Sequence, residues 1–307
     1  MSHCSRHHRL ELAILRTVAY SDVFDYPLTA AELHRYLDSE VATPDEVASA
    51  LAALAGPLVC DHDGWVALAG REDLFEVRRR RRREAERLWP AARRWAGRLA
   101  RLPLVRMVAV TGALAVDNVE PAADVDFLIV TEPGRVWLAR SLVIQAVRAA
   151  RLDGIVLCPN WVLASDALVL DHHSLFAARE LTQMVPAAGL PVYRQMRRLN
   201  PWTDRYLPNA GGPPRALERD PVDRRGGVVR AAERAMLGSI GSAVESWERR
   251  RKTREILGAA SGTAEVVLDR RQCKGHVDAH GDRIHRTYAD RLRVLGIEGS
   301  TTRDGSR

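Results

Sequence analysis

Apolar residues recur every three or four positions near the start of the chain, which is the period of an amphipathic helix. The first stripe contains Leu10, Ile14 and Val18. Two capping boxes follow, each a threonine three residues before a glutamate, at Thr29–Glu32 and Thr43–Glu46. Because such boxes stand at the first turn of a helix, the pattern predicts three successive helices.

A β-hairpin is predicted after the third helix, since apolar runs at 58–60 and 65–68 flank an Asp-Gly turn signal. Three helices and a two-stranded wing predict a winged helix-turn-helix domain over residues 1–70, a module often used to bind DNA. The third helix, within 43–56, contains acids but no lysine or arginine. It is therefore poorly suited to phosphate contacts, and we favour packing or dimerisation over DNA binding.

A long basic connector helix is predicted over residues 71–102, and it contains six consecutive arginines, Arg78 to Arg83. The segment 71–106 holds 13 arginines against five acids, so it accounts for the whole net charge of +7 of this 307-residue chain. Successive helical residues point about 100° apart, so the six side chains cannot line one face. We favour a solvated connector; the alternative is a surface that faces a triphosphate or RNA.

Composition excludes several classes of protein. No run of about 18 uninterrupted apolar residues is present, so we expect no membrane-spanning helix and no membrane partner. The first residues lack the apolar segment of a secretory signal. Four cysteines lie far apart without a CxxC pair, which fits a reducing compartment. We therefore expect a cytoplasmic protein.

Candidate chemistry lies in a strand, turn and strand pattern. A buried strand is predicted at 104–110; it ends in a Thr-Gly-Ala turn at 111–113, and a second strand opens with Asp124 and Asp126. Acids two positions apart in a strand project from the same face. Carboxylates are hard ligands for a divalent cation, and backbone amides at such a turn bind phosphate. The pattern thus indicates a site for a metal ion and a triphosphate.

This layout of a glycine turn, ten intervening residues and an Asp-x-Asp that opens an apolar strand resembles the core of the polymerase-beta-type nucleotidyltransferase superfamily. The wider chain resembles bacterial proteins that place a winged helix before such a domain, through Ser21–Leu28, Arg135–Arg140 and Asn200–Trp202. The resemblance implies an α/β (α+β) protein with a nucleotidyltransferase-like mixed-sheet core at 103–208.

The resemblance also implies roles for individual residues. Asp124 and Asp126 would bind Mg²⁺ or Mn²⁺ and serve in catalysis. Thr111, Gly112 and Ala113 would border the phosphates of a nucleoside triphosphate, for which ATP is the expected choice. The reaction implied is metal-dependent transfer of a nucleoside monophosphate to an acceptor, with release of pyrophosphate; the acceptor is a small molecule, a protein or RNA.

Two departures from the family pattern favour an alternative function. The family's turn serine is Ala113 here, and the third acid expected on a later strand is missing from 155–164. Asp153 and Asp166 flank that segment, and we take Asp153 as the candidate catalytic acid. The alternative is a catalytically degenerate nucleotide-binding or DNA-linked regulatory protein. A purely structural module, without nucleotide affinity, is a third interpretation.

The last third of the chain carries less information. Residues 209–227 predict a linker, 228–297 a helical region and 298–307 a disordered tail. Cys273, His276 and His280 have spacing that suggests zinc binding, but a partner pair of ligands is lacking. We favour surface or core roles for these side chains.

Overall fold

The computed structural model describes residues 2–54, 56–61, 63–215, 226–259, 266–275 and 280–297. The predicted tail at 298–307, most of the predicted linker and His276 of the zinc hypothesis lie outside these ranges. The described residues form a mixed α/β protein, which confirms the predicted fold class.

The first part of the chain, residues 2–68, is referred to below as the N-terminal unit. Its elements are α1 (Ser2–Asp22), β1 (Leu28–Thr29), α2 (Ala30–Arg35), α3 (Pro44–Ala53), β2 (Leu58–Cys60) and β3 (Trp65–Leu68). The strands form an antiparallel sheet of order β1-β3-β2. Both capping boxes form, because Thr29 and Thr43 each accept a hydrogen bond from the backbone three residues on. The three helices and the hairpin follow in the predicted order, whereas β1 was not predicted because it has only two residues. Membership of the winged-helix class stays a prediction.

The predicted connector is the 28-residue helix α4 (Asp73–Ala100). Its second half is not solvated throughout. Trp89, Trp95 and Leu99 are buried against the larger core, where they pack beside the central sheet. The helix therefore forms one wall of the core as well as joining two parts of the chain.

A six-stranded mixed sheet lies at the centre of the described residues. Its strands are β4 (Val105–Val110), β5 (Val125–Thr131), β6 (Leu157–Ala164), β7 (Val185–Ala188), β8 (Val266–Leu268) and β9 (Gln272–Gly275). Their order is β7-β4-β5-β6-β9-β8, with β5 parallel to β6 and every other neighbouring pair antiparallel.

Helices cover both faces of this sheet. They are α5 (Gly112–Ala115), α6 (Val136–Leu152), α7 (Leu175–Gln183), α8 (Leu190–Leu199), a 3-10 turn (Pro201–Arg205), α9 (Gly227–Leu237), α10 (Ser239–Ala259) and α11 (His280–Val294). Phe127 and Ile129 of β5 pack with α4 and α6, whereas Leu128 and Val130 pack with α7 and α8. Asp126 has the same strand parity as Leu128, so its side chain projects from the α7 side of the sheet.

The C-terminal part of the chain contains more than helices. Strands β8 and β9 lie inside the region predicted to be helical, and β9 pairs with the edge of β6. These strands have three and four residues, too few to give a clear alternating pattern in the sequence. The helix α10 packs on α6, where the Glu245 carboxylate accepts hydrogen bonds from the backbone N–H groups of Trp137 and Leu138.

None of the helices in the described part of the chain combines the length and the apolar composition that a bilayer-spanning segment requires.

Candidate functional site

The turn after β4 lies directly against the start of β5. Val110 pairs with Phe127, and the next residue, Thr111, donates its backbone N–H to the Asp126 carbonyl at 3.0 Å. Gly112 follows with a left-handed φ of +64°. A Cβ atom on Gly112 would overlap the Oδ2 atom of Asp126, so both the backbone conformation and the space require glycine here.

Three potential metal ligands converge beside this turn. One ligand atom each from Asp124, Asp126 and Cys158 lies within 4.8 Å of the other two. Asp124 is exposed and precedes β5, while Asp126 and Cys158 are half-buried. Cys158 belongs to β6, where the parallel register places it opposite Asp126. These three residues are referred to below as the Asp-Asp-Cys cluster.

The electrostatics of the cluster favour protonated groups in the absence of a cation. Burial raises the pKa of Asp126 to about 7, and the nearby charges of Asp124 and Glu180 act in the same direction. A hydrogen bond with the Cys158 thiol partly opposes this shift. Burial and the two aspartates raise the pKa of the Cys158 thiol to about 12. A bound cation would favour the ionised forms of Asp126 and Cys158.

Thr111 adds a hydroxyl to the same face of the sheet. Its backbone is extended, and residues directly opposite each other in an antiparallel pair share a face, so its side chain projects beside that of Asp126. The residue is 6% exposed, and its Oγ1 atom has no hydrogen-bond partner among the described residues. Ala113 is exposed on α5 and supplies no hydroxyl.

The structure does not bring Asp153 into the cluster. This residue is the C-cap of α6, is exposed and lies 3.5 Å from the Arg98 guanidinium. Asp166, the other flanking acid, is exposed and lies near Arg271. The catalytic role assigned to Asp153 stays a prediction. Besides Asp124, the acid whose charge raises the pKa of Asp126 is Glu180 of α7. Burial raises the pKa of Glu180 itself, and the charge of Lys274 partly opposes that shift.

Two residues of the site were missed from the sequence. Cys158 lies in the segment 155–164, where a third acid was sought, but its place opposite Asp126 depends on the register between β5 and β6. Glu180 had no signal in the sequence, since its position depends on how α7 folds back over the sheet.

The loop between the turn and Asp124 is held by Arg78 of α4 together with Tyr26 of the N-terminal unit. The buried guanidinium of Arg78 donates to the carbonyls of Val116 and Asp117 at 3.0 and 3.2 Å, and to the Glu32 carboxylate at 2.9 Å. The Tyr26 hydroxyl donates to the same Val116 carbonyl at 2.8 Å. The Arg78 guanidinium also lies over the Tyr26 ring, with its central carbon 4.0 Å from the ring centroid.

Each of the six consecutive arginines lies within ion-pair distance of an acid. Arg78 pairs with Glu32, and Arg79 pairs with Asp61, Asp63 and Glu76. Arg80 and Arg81 both lie near Glu120. Arg82 pairs with Glu86, and Arg83 pairs with Glu76. The run is thus largely neutralised within the chain, which leaves less positive charge for a triphosphate or RNA than the sequence suggested.

No protein-family model, no characterised protein and no solved structure matches this chain. The resemblance to nucleotidyltransferases therefore stays a prediction.

Proposed function

We propose that the protein is a metal-dependent nucleotidyltransferase that moves a nucleoside monophosphate from a nucleoside triphosphate, ATP first among them, to an acceptor. The observation that carries the proposal is the close approach of the bare Gly112 backbone to the Asp126 carboxylate, with Asp124 beside it. This geometry supports the proposal because backbone amides suited to phosphate and carboxylates suited to a cation would lie side by side.

The residues present fit a divalent cation. Two carboxylates offer hard oxygen ligands, and the unpartnered Thr111 hydroxyl adds a further oxygen on the same face. A bound Mg²⁺ or Mn²⁺ would supply positive charge that neutralises the triphosphate and polarises its α-phosphorus. Among the described residues, no lysine or arginine is hydrogen-bonded to Asp124 or Asp126. A metal ion would therefore displace no side-chain cation from these carboxylates.

The chain's own residues would bind and orient the substrate. Backbone N–H groups of the turn at 112–113 are suited to donate to phosphate oxygens. Asp126 would lose its proton on ligand binding, because its pKa of about 7 lies near neutrality. In the transfer, an acceptor hydroxyl oxygen forms a bond to the α-phosphorus while its O–H bond breaks and the proton passes to solvent; the bond from that phosphorus to the bridging oxygen breaks, and pyrophosphate leaves.

The test is a titration of the full chain with each NTP in the presence of Mg²⁺ or Mn²⁺, following nucleotide binding and pyrophosphate release separately. We expect metal-dependent binding that is lost in Asp124→Asn and Asp126→Asn. A matched control is Asp45→Asn, which removes an exposed acid from α3 without touching the site. Wild-type protein that binds no nucleotide with either metal would overturn the proposal.

A second candidate is a nucleotide-binding protein that does not catalyse transfer. Cys158 favours it, because a thiol stands opposite Asp126 and no third carboxylate joins the cluster within the described ranges. This candidate predicts tight binding without pyrophosphate release for any acceptor.

Asp153→Asn tests the remaining catalytic assignment: unchanged turnover in that variant would reject a catalytic role for Asp153.

A further inference from the structure

We propose that Cys158 is a metal ligand, and that the Asp-Asp-Cys cluster prefers a thiophilic divalent cation of the Zn²⁺, Co²⁺ or Cd²⁺ class over Mg²⁺. A role for this metal in catalysis rests on the proposed function. The preference of the cluster for a thiophilic cation does not depend on it.

Distance and register support a shared ion. One ligand atom from each of Asp124, Asp126 and Cys158 lies within 4.8 Å of the others. Donor atoms on one tetrahedral zinc ion, with bonds of about 2.0–2.3 Å, are about 3.5 Å apart. The three ligand atoms would therefore need to approach one another by no more than about 1.3 Å. Cys158 and Asp126 are neighbours on adjacent parallel strands, so the backbone need not move.

An independent observation points to a ligand at this place. The Thr111 side chain is more than nine-tenths buried, and its Oγ1 atom lacks a hydrogen-bond partner within the part of the chain that the structure describes. Its position opposite Asp126 directs it to the face that carries the cluster. A buried hydroxyl without a partner is costly, and a bound cation or its hydration water would satisfy it.

The Cys158 sulfur determines which divalent cation the cluster prefers. Thiolates are soft ligands that select zinc, cobalt and cadmium, whereas Mg²⁺ takes oxygen ligands in octahedral geometry and keeps much of its water. On binding, the S–H bond of Cys158 breaks, its proton passes to solvent and a metal–sulfur bond forms. The oxidation state of the metal and of the sulfur does not change, so no co-reactant is needed.

The chain contains its own controls for a thiolate readout. Cys60 is exposed on β2, and Cys273 is buried on β9. Neither belongs to the metal-ligand group found among the described residues. Cys60→Ser and Cys273→Ser thus remove a thiol and leave the cluster intact.

The experiment is a titration of the metal-free full chain with Cd²⁺ alone, following the ultraviolet charge-transfer absorption of the cadmium–thiolate bond, then competition with excess Mg²⁺. We expect saturation at one ion per chain and resistance to Mg²⁺. The absorption should be lost in Cys158→Ser and retained in the two control variants. Cys158→Asp should lose it as well and raise the affinity for Mn²⁺ relative to Cd²⁺ at least about tenfold.

Each outcome decides the inference. Absence of the absorption in wild type, or its persistence in Cys158→Ser, overturns it, and circular dichroism of both Cys158 variants verifies that they fold. Mg²⁺-dependent nucleotide binding without a cadmium signal would leave the proposed function standing and reject this inference. A cadmium signal that depends on Cys158, in a protein that binds no nucleotide, would support this inference and reject the proposed function.

Discussion

The carboxyl group of Asp126 lies against the Gly112 backbone, beside the Cys158 thiol and close to the Asp124 carboxylate. Burial and neighbouring negative charge both oppose its ionisation. A cation at the same place would offset both effects. Protons and metal ions therefore compete for this residue near neutral pH, and its protonation couples the site to the stability of the protein.

The first prediction concerns Asp126→Asn in chelator. The folded-state pKa of about 7 exceeds the ordinary value of 3.8, so the wild type loses stability as pH rises through 7. The amide cannot ionise and escapes this loss. We expect the variant to be more stable than the wild type by about 1–3 kcal/mol at about pH 8.5, with little advantage at about pH 4. Urea denaturation measures the difference; an advantage that is equal at both pH values would contradict the account.

A second prediction compares two glycines with nearly the same backbone. Gly112 has φ +64° and Gly134 has φ +67°, but a Cβ atom meets Asp126 only at Gly112 and open space at Gly134. Both alanine variants lose about 1 kcal/mol from left-handed strain. We expect Gly112→Ala to lose about 2 kcal/mol more and to abolish nucleotide binding. Equal losses in thermal or chemical denaturation would show that the close approach is unimportant.

At the scale of elements, the helix α4 joins the N-terminal unit to the site loop through side chains that the sequence presents as one uniform run. Arg78 is 3% exposed and contacts backbone carbonyls, a carboxylate and an aromatic ring. Arg82, four residues on, is half-exposed and pairs with Glu86 at i,i+4. Residues four apart lie on nearly the same face of a helix, so the contrast comes from what each arginine meets along the helix axis.

The third prediction follows from this contrast. Arg78→Met should destabilise the protein by about 3 kcal/mol, because the half-buried Glu32 carboxylate and two carbonyls lose their donor. Arg82→Met, the matched control, should change stability by less than about 0.5 kcal/mol. Chemical denaturation of both variants measures the difference. Similar losses would indicate that the run acts through its total charge.

At the scale of the whole molecule, the N-terminal unit packs on the core and presents a poorly cationic third helix. Asp45 is exposed at the start of α3, and the half-buried Glu46 pairs with Arg6. We predict that the full chain binds duplex DNA no more tightly than the non-specific range of about 10⁻⁴–10⁻⁶ M. Fluorescence anisotropy at two salt concentrations measures this. Sequence-specific binding at nanomolar concentration would restore the DNA-binding interpretation.

Local signals predicted local structure, and the rest depended on long-range packing. The capping boxes at Thr29 and Thr43 were read correctly because their hydrogen bonds span three residues. The strands β8 and β9 were not found, since both are short and β9 pairs with β6, which lies roughly a hundred residues earlier. At the site, Asp124 and Asp126 were identified from spacing, whereas Cys158 required knowledge of the strand register.

The late arrival of β9 has a consequence for synthesis on the ribosome. Its partner β6 is translated roughly a hundred residues earlier, which corresponds to about 5–20 s at ordinary elongation rates. During that interval one edge of β6 lacks its strand, and an open edge invites pairing with other chains. Nascent protein stalled before residue 272 should therefore aggregate more readily than the finished chain, and it should be a better client for chaperones.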